Sequence, residues 1–110
     1  MATEPTDITA ACEAFVFSLM QGRYYDAHED FERIWHPRRF EECDEVLLWK
    51  GFINAAVSFE LMRRGRAEAA KRVWKNYRKY VLLLDRLATP DKELYVTIVQ
   101  AIEHIKATHV

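Results

Sequence analysis

Glycine and proline are scarce, three of each in 110 residues. So few turn formers cannot supply the closely spaced hairpins of an all-β protein, and the shortage favours helices. No apolar run approaches the roughly 18 residues of a membrane span. The most hydrophobic stretch, residues 46–49, is cut by Lys50. The opening residues Met1-Ala2-Thr3-Glu4-Pro5-Thr6-Asp7 are acidic, without the basic start and apolar stretch of a signal peptide, so a cytoplasmic protein with no membrane partner is expected. The only cysteines, Cys12 and Cys43, stand at neither metal nor redox spacing and read as reduced thiols, buried as small hydrophobes.

Half of the residues are hydrophobic and 30% are charged, a balance that suits one globular domain over residues 1–110. The net charge of −1 hides an asymmetry. Residues 63–86 carry nine basic side chains against Glu68 and Asp85, and the rest of the chain carries the opposite excess. Such a split points to internal pairing, self-association or an anionic partner.

The apolar spacing predicts five helices. Ile8, Cys12, Phe15 and Leu19 recur at helical intervals in the first, which Thr6 or Asp7 can cap and Gly22 ends. The second covers residues 24–36 and stops before Pro37; residues 37–40 read as a loop. The third, residues 42–64, is apolar around much of its circumference, so it must pack on more than one side, and Gly65 terminates it. The fourth, residues 66–87, turns Val73, Trp74, Tyr77, Val81 and Leu84 inward and Lys71, Lys75, Arg78 and Lys79 outward. Thr89-Pro90 then starts a fifth helix with the stripe Leu94, Tyr95, Ile98, Ile102 and Ile105. The fold class is therefore all-α, a single-domain bundle of about five helices. It has a weak repeat-like character: Gly22-Arg23 with Ala27 and Phe31 is echoed 43 residues later by Gly65-Arg66 with Ala70 and Trp74.

The residues with most chemistry lie in the second helix. Helical spacing puts His28, Glu32 and Trp35 on one side, at i, i+4 and i+7, with Glu29 beside them. Lys50, Asn54 and Ser58 form a polar stripe on the otherwise apolar third helix, and the second helix's histidine and carboxylates are the expected partners. His28, Glu29 and Glu32 are thus catalytic candidates for acid/base work, with Tyr25, Trp35, Lys50 and Asn54 as binding candidates. A structural network of the same residues is the alternative, and the two are compatible. His28 and Glu32 could also chelate a divalent metal, but a zinc site needs ligands beyond this one helix, so no cofactor is expected.

The pattern Gly22, Tyr25, Ala27, His28, Glu29, Glu32, Trp35, followed by Gly51, Ile53, Ala56 and then Arg64-Gly65, resembles the prokaryotic domain-of-unknown-function family 309. The resemblance covers about residues 15–81. It implies an all-helical fold and small intracellular proteins that are often dimers, and it brings no established activity. This chain departs from the family in having Lys50 and Asn54 where glutamine is usual, and Glu60-Leu61 where histidine or tyrosine is usual, so a second histidine is missing.

Three function classes follow. The first is a small cytoplasmic helical binding or interaction protein with a His/Glu cluster in an inter-helix groove. The second is a hydrolase-like enzyme using His28, Glu29 and Glu32. The third is a nucleic-acid binder using Lys71, Lys75, Arg78 and Lys79, with Arg72 at the edge. The first is favoured, because neither a nucleophile nor a nucleic-acid recognition motif is visible. The apolar circumference of the third helix also predicts a homodimer. His36, His104 and His109 read as surface or terminal residues.

Overall fold

The computed structural model describes residues 5–108, with side chains from Ile8 onward. The cap candidates Thr6 and Asp7 lie within the first turn of α1 rather than ahead of it, and His109 lies outside the described residues. Among the described residues five α-helices run in order: α1 Pro5–Met20, α2 Tyr24–Trp35, α3 Asp44–Arg63, α4 Ala67–Val81 and α5 Lys92–Thr108. Among the described residues there is no strand. A 3-10 turn at His36–Arg38 occupies part of the expected loop. The fourth helix is shorter than its periodicity predicts, because the backbone tightens into a second 3-10 turn at Leu82–Arg86.

The 43-residue echo is a repeated turn. At the end of α1, Gly22 takes φ 74°, its N–H donates to Leu19 O at 3.0 Å, and the Arg23 N–H donates to Ser18 O at 2.9 Å. At the end of α3, Gly65 takes φ 80°, its N–H donates to Met62 O at 3.0 Å, and the Arg66 N–H donates to Leu61 O at 2.9 Å. Both are Schellman caps, in which the left-handed residue lets two orphan carbonyls be satisfied before the chain re-enters a helix. Arg23 and Arg66 then precede α2 and α4 in nearly the same conformation, φ −96°, ψ 70° and φ −102°, ψ 65°. The molecule is two helical hairpins, α1–α2 and α3–α4, closed by α5 into one globule with a radius of gyration of 13.1 Å.

The hairpins meet through α3, which packs against α2 on one flank and α4 on the other. At the second contact Gly51 is required: an added Cβ would lie 2.8 Å from the Cβ of Tyr80. The core is a chain of aromatic rings. Phe31 meets Phe15 edge-on at 5.0 Å and Phe52 at 5.6 Å, and Phe52 reaches Tyr95 at 5.9 Å. The buried indole N–H of Trp49 donates to the Tyr95 hydroxyl at 2.9 Å, and that hydroxyl donates to the Glu45 carboxylate.

Tyr24 and Tyr25 divide as adjacent helical positions must: Tyr24 is buried and packs on Phe59 of α3 at 5.4 Å, whereas Tyr25 is half exposed. Cys12 is buried, and desolvation, helped by the charges of Asp91, Glu13 and Glu45, pushes its thiol up to about 12. Cys43 is exposed, contrary to the expectation for it. It precedes α3 in an extended conformation, before the packed part of the helix begins.

Candidate functional site

Helix α2 buries Tyr24, Ala27 and Phe31 along one stripe, and this rotation sets the place of every candidate on it. His28, one position beyond Ala27, falls at the edge towards α3, and its side chain is 16% exposed. Glu29 is exposed, and the Glu32 side chain is 44% exposed. Trp35, at the last turn, is half-buried against the core.

The tautomer of His28 follows from its neighbours. Nδ1 lies 2.5 Å from the carbonyl oxygen of Tyr25, which can only accept, so Nδ1 carries a hydrogen. In the neutral ring Nε2 then presents a lone pair. It sits 3.8 Å from Glu32 Oε1, too far for a hydrogen bond but close enough for attraction when the ring is charged. The Tyr25 ring stands edge-on to the imidazole at 4.8 Å and is 51% exposed.

A cleft of about 210 Å³ opens beside this pair, lined by Tyr24, Tyr25 and His28 from α2 and by Val57, Glu60, Leu61 and Arg64 at the end of α3. Glu60 is buried and held by two guanidinium groups: Arg64 Nε at 2.6 Å and Arg63 Nη2 at 2.8 Å. Burial pushes its carboxyl up, but the hydrogen bonds from Arg64 and Arg63 and their charges outweigh that, leaving it below the usual carboxylate range. The cleft therefore combines an imidazole, an ionised carboxylate, a guanidinium and an apolar wall within one concave surface.

The expected polar seam between α2 and α3 does not form. Lys50, Asn54 and Ser58 are satisfied within α3 or by α4. Asn54 Nδ2 donates to Lys50 O at 2.6 Å, and Ser58 Oγ donates to Ala55 O at 2.7 Å. Asn76 of α4 donates to Asn54 Oδ1 at 3.3 Å, and the Lys50 ammonium lies 5.8 Å from the Tyr80 ring centroid. Short polar side chains in a helix readily bond back to the preceding turn, which removes their demand for a partner helix. Nor do the three catalytic candidates converge. Glu29 and Glu32 line a shallow surface groove with Arg33 and His36, and only Glu32 also faces His28. Among the described residues no three His, Cys, Asp or Glu side chains gather as metal ligands, so the divalent-ion alternative has only the His28–Glu32 pair to draw on.

Sequence reasoning missed Glu60, Val57, Leu61 and Arg64 as lining residues. The signal was present: Glu60 stands three and four residues before Arg63 and Arg64, the spacing of helical ion pairs. It also missed Asp30, whose buried carboxylate accepts from Ser18 Oγ at 2.8 Å and ties α2 to α1. On the far side of the molecule Lys71, Arg72, Lys75, Arg78 and Lys79 are all exposed, as the charge pattern required. His36 and His104 are exposed as well.

Fold and cleft together define a small all-helical protein of two like hairpins with one mixed polar cleft at their junction. Residues 12–73, more than half of the chain, match the family described as a domain of unknown function (DUF309), and the chain belongs to that family. No curated protein and no solved structure matches the chain.

Proposed function

We propose that the chain is a small cytoplasmic interaction protein that binds its partner or ligand in the α2–α3 cleft around His28. The observation that supports this most is the cleft's composition: His28, the arginine-held Glu60 and the half-exposed Tyr25 ring converge on an apolar wall of Val57 and Leu61. At about 210 Å³ it accepts a single side chain or a fragment-sized ligand. The free thiols of Cys12 and Cys43 fit a reducing compartment, and among the described residues no helix is long and apolar enough to cross a membrane. The acid/base reading has less support, since Glu29 does not line the cleft and belongs to a separate surface groove. Nucleic-acid binding through α4 rests on its exposed basic face alone.

Self-association belongs to the same proposal, through a different surface from the one the sequence pointed to. The apolar circumference of α3 is consumed by α2 and α4, whereas α1 leaves Phe17 61% and Met20 54% exposed beside a groove of about 410 Å³ shared with Leu94 of α5. A homodimer through α1 and α5 covers these side chains, and Phe17→Glu reduces it to a monomer by light scattering at micromolar concentration.

The cleft is tested by screening fragments with protein-observed NMR. Hits should shift the amides of Tyr25, His28 and Leu61 and be lost in His28→Ala, while the melting temperature of His28→Ala stays within a few degrees of the parent. A variant that loses many degrees without any hit having mapped to the cleft would make His28 a structural residue and overturn the reading.

A further inference from the structure

A second cleft, on the flank of α3 away from His28, has a different chemistry. Helices α4 and α5 are joined there by side chains. The Tyr77 hydroxyl donates to Glu103 Oε2 at 2.9 Å, and the Lys106 ammonium lies 4.9 Å from the Trp74 ring centroid. Between them lies a cleft of about 220 Å³ with an apolar floor of Met62, Ala70 and Trp74 and a rim of Lys71, Lys75 and Lys106. Trp74 packs from within on Tyr77 at 4.6 Å and Phe59 at 5.7 Å.

The rim charges are poorly compensated. Lys71 faces Glu68 at 3.8 Å, but both side chains are mostly exposed, and such a pair contributes little. Among the described residues neither Lys75 nor Lys106 has a carboxylate within ion-pair distance. Glu103, one turn from Lys106, is engaged by Tyr77. Three ammonium groups thus surround one hydrophobic floor in a protein whose net charge is −1. An anion seated there gains from all three at once, and an apolar body attached to it covers the exposed face of the floor.

We propose that this cleft binds an amphipathic organic anion, a flat aromatic or short acyl body with one carboxylate, sulfonate or phosphate head. Lysine heads are point charges and impose no planar fork, so they set the sign of the head group rather than its geometry. The volume lies below the ~300–1,000 Å³ of drug-sized sites, which limits the body to about one bicyclic ring or a short acyl chain.

Titration of the full chain with 1-naphthoate, octanoate, 1-naphthalenemethanol and inorganic phosphate, read by calorimetry and by the Trp74 indole N–H in NMR, tests this. Naphthoate or octanoate should bind with Kd on the order of 100 μM. The neutral alcohol and bare phosphate should each bind at least about tenfold more weakly, because each lacks one half of the recognition. Which of the two acids binds tighter separates an aromatic from an acyl source. Lys75→Gln with Lys106→Gln should weaken the better acid by about tenfold or more while lowering the melt by no more than a few degrees, since neither lysine is in the core and the Lys106–Trp74 contact is the one packing interaction removed. His28→Ala should leave the affinity as it was, which separates this site from the α2–α3 cleft. Equal binding of alcohol and acid, insensitivity to the lysine pair, or no saturation by about 5 mM of either acid would overturn the proposal.

Discussion

The two hairpins share a turn and differ in almost everything mounted on it. Counting from each glycine, α2 and α4 place Ala27 and Ala70, then Phe31 and Trp74, at matching positions facing inward. On the neighbouring stripe, however, His28 and Glu32 of the first hairpin correspond to Lys71 and Lys75 of the second. In the helices before the turn, exposed Phe17 corresponds to buried Glu60, and Ser18, which bonds buried Asp30, corresponds to Leu61. A left-handed glycine and a short row of inward side chains thus suffice to set a helical hairpin. The charge beside that row is free to make one cleft mixed and the other cationic.

The largest expected difference lies in the matched ring positions. Phe31 is 0% exposed and touches Phe15, Phe52 and Trp49, so Phe31→Ala should cost about 3–5 kcal/mol and remove most of the domain's stability. Trp74 is half-buried beside the cationic cleft, and Trp74→Ala should cost less, about 2 kcal/mol, despite the larger side chain. Urea denaturation of both variants checks the order. Equal losses would mean that the second hairpin is packed as tightly as the first and that its cleft is closed.

Next comes the contrast between Phe17 and Glu60. Folding holds the Glu60 carboxyl below its usual value: burial raises it, and the bonds from Arg64 and Arg63 lower it further than burial raises it. A depressed carboxyl contributes stability that is present above the unfolded value of about 4.3 and is lost as pH falls through the folded one. The melting temperature should therefore drop on acidification below about pH 4.3, and Glu60→Gln should flatten part of that drop while lowering stability at neutral pH. A pH profile identical in Glu60→Gln and parent would remove Glu60 as the ionic anchor of the α2–α3 cleft.

Periodicity carried the fold because it records which face of each helix is apolar, and that face is what packs. Five helices, the inward stripes of α1 and α5, that of the fourth helix apart from Val73, and the echoed turn were all legible in this way. That α3 packs on more than one side was legible too, but which of its faces meets α2 and which meets α4 was not, since a helix that is apolar nearly all round gives no direction. That gap misassigned Lys50 and Asn54, whose polar groups are met by their own helix and by Asn76. It also put the expected self-association face on α3, the helix that α2 and α4 cover. Cys43 looked like a core residue by type alone, but it sits before the first packed turn of α3, and residue type does not encode position along an element.

The smallest effect tests whether the two turns are equivalent. Gly22 and Gly65 both sit in the left-handed region, and an added Cβ at either would meet no atom within 4 Å. The cost of alanine there is therefore conformational rather than steric, about 1–2 kcal/mol for a side chain in that region. Because the flanking backbone bonds match to within 0.1 Å, 2.9 and 2.9 Å for the longer closure and 3.0 and 3.0 Å for the shorter, the two penalties should agree within about 0.5 kcal/mol. Gly22→Asn and Gly65→Asn should each recover part of the loss, since asparagine tolerates the left-handed region better than alanine. If Gly65→Ala proved far more costly than Gly22→Ala, the extra penalty would have to come from the Glu60–Arg63–Arg64 cluster just before that turn, which the first hairpin lacks. Chemical denaturation of the two alanine variants side by side is enough to tell one repeated element from two turns that merely look alike.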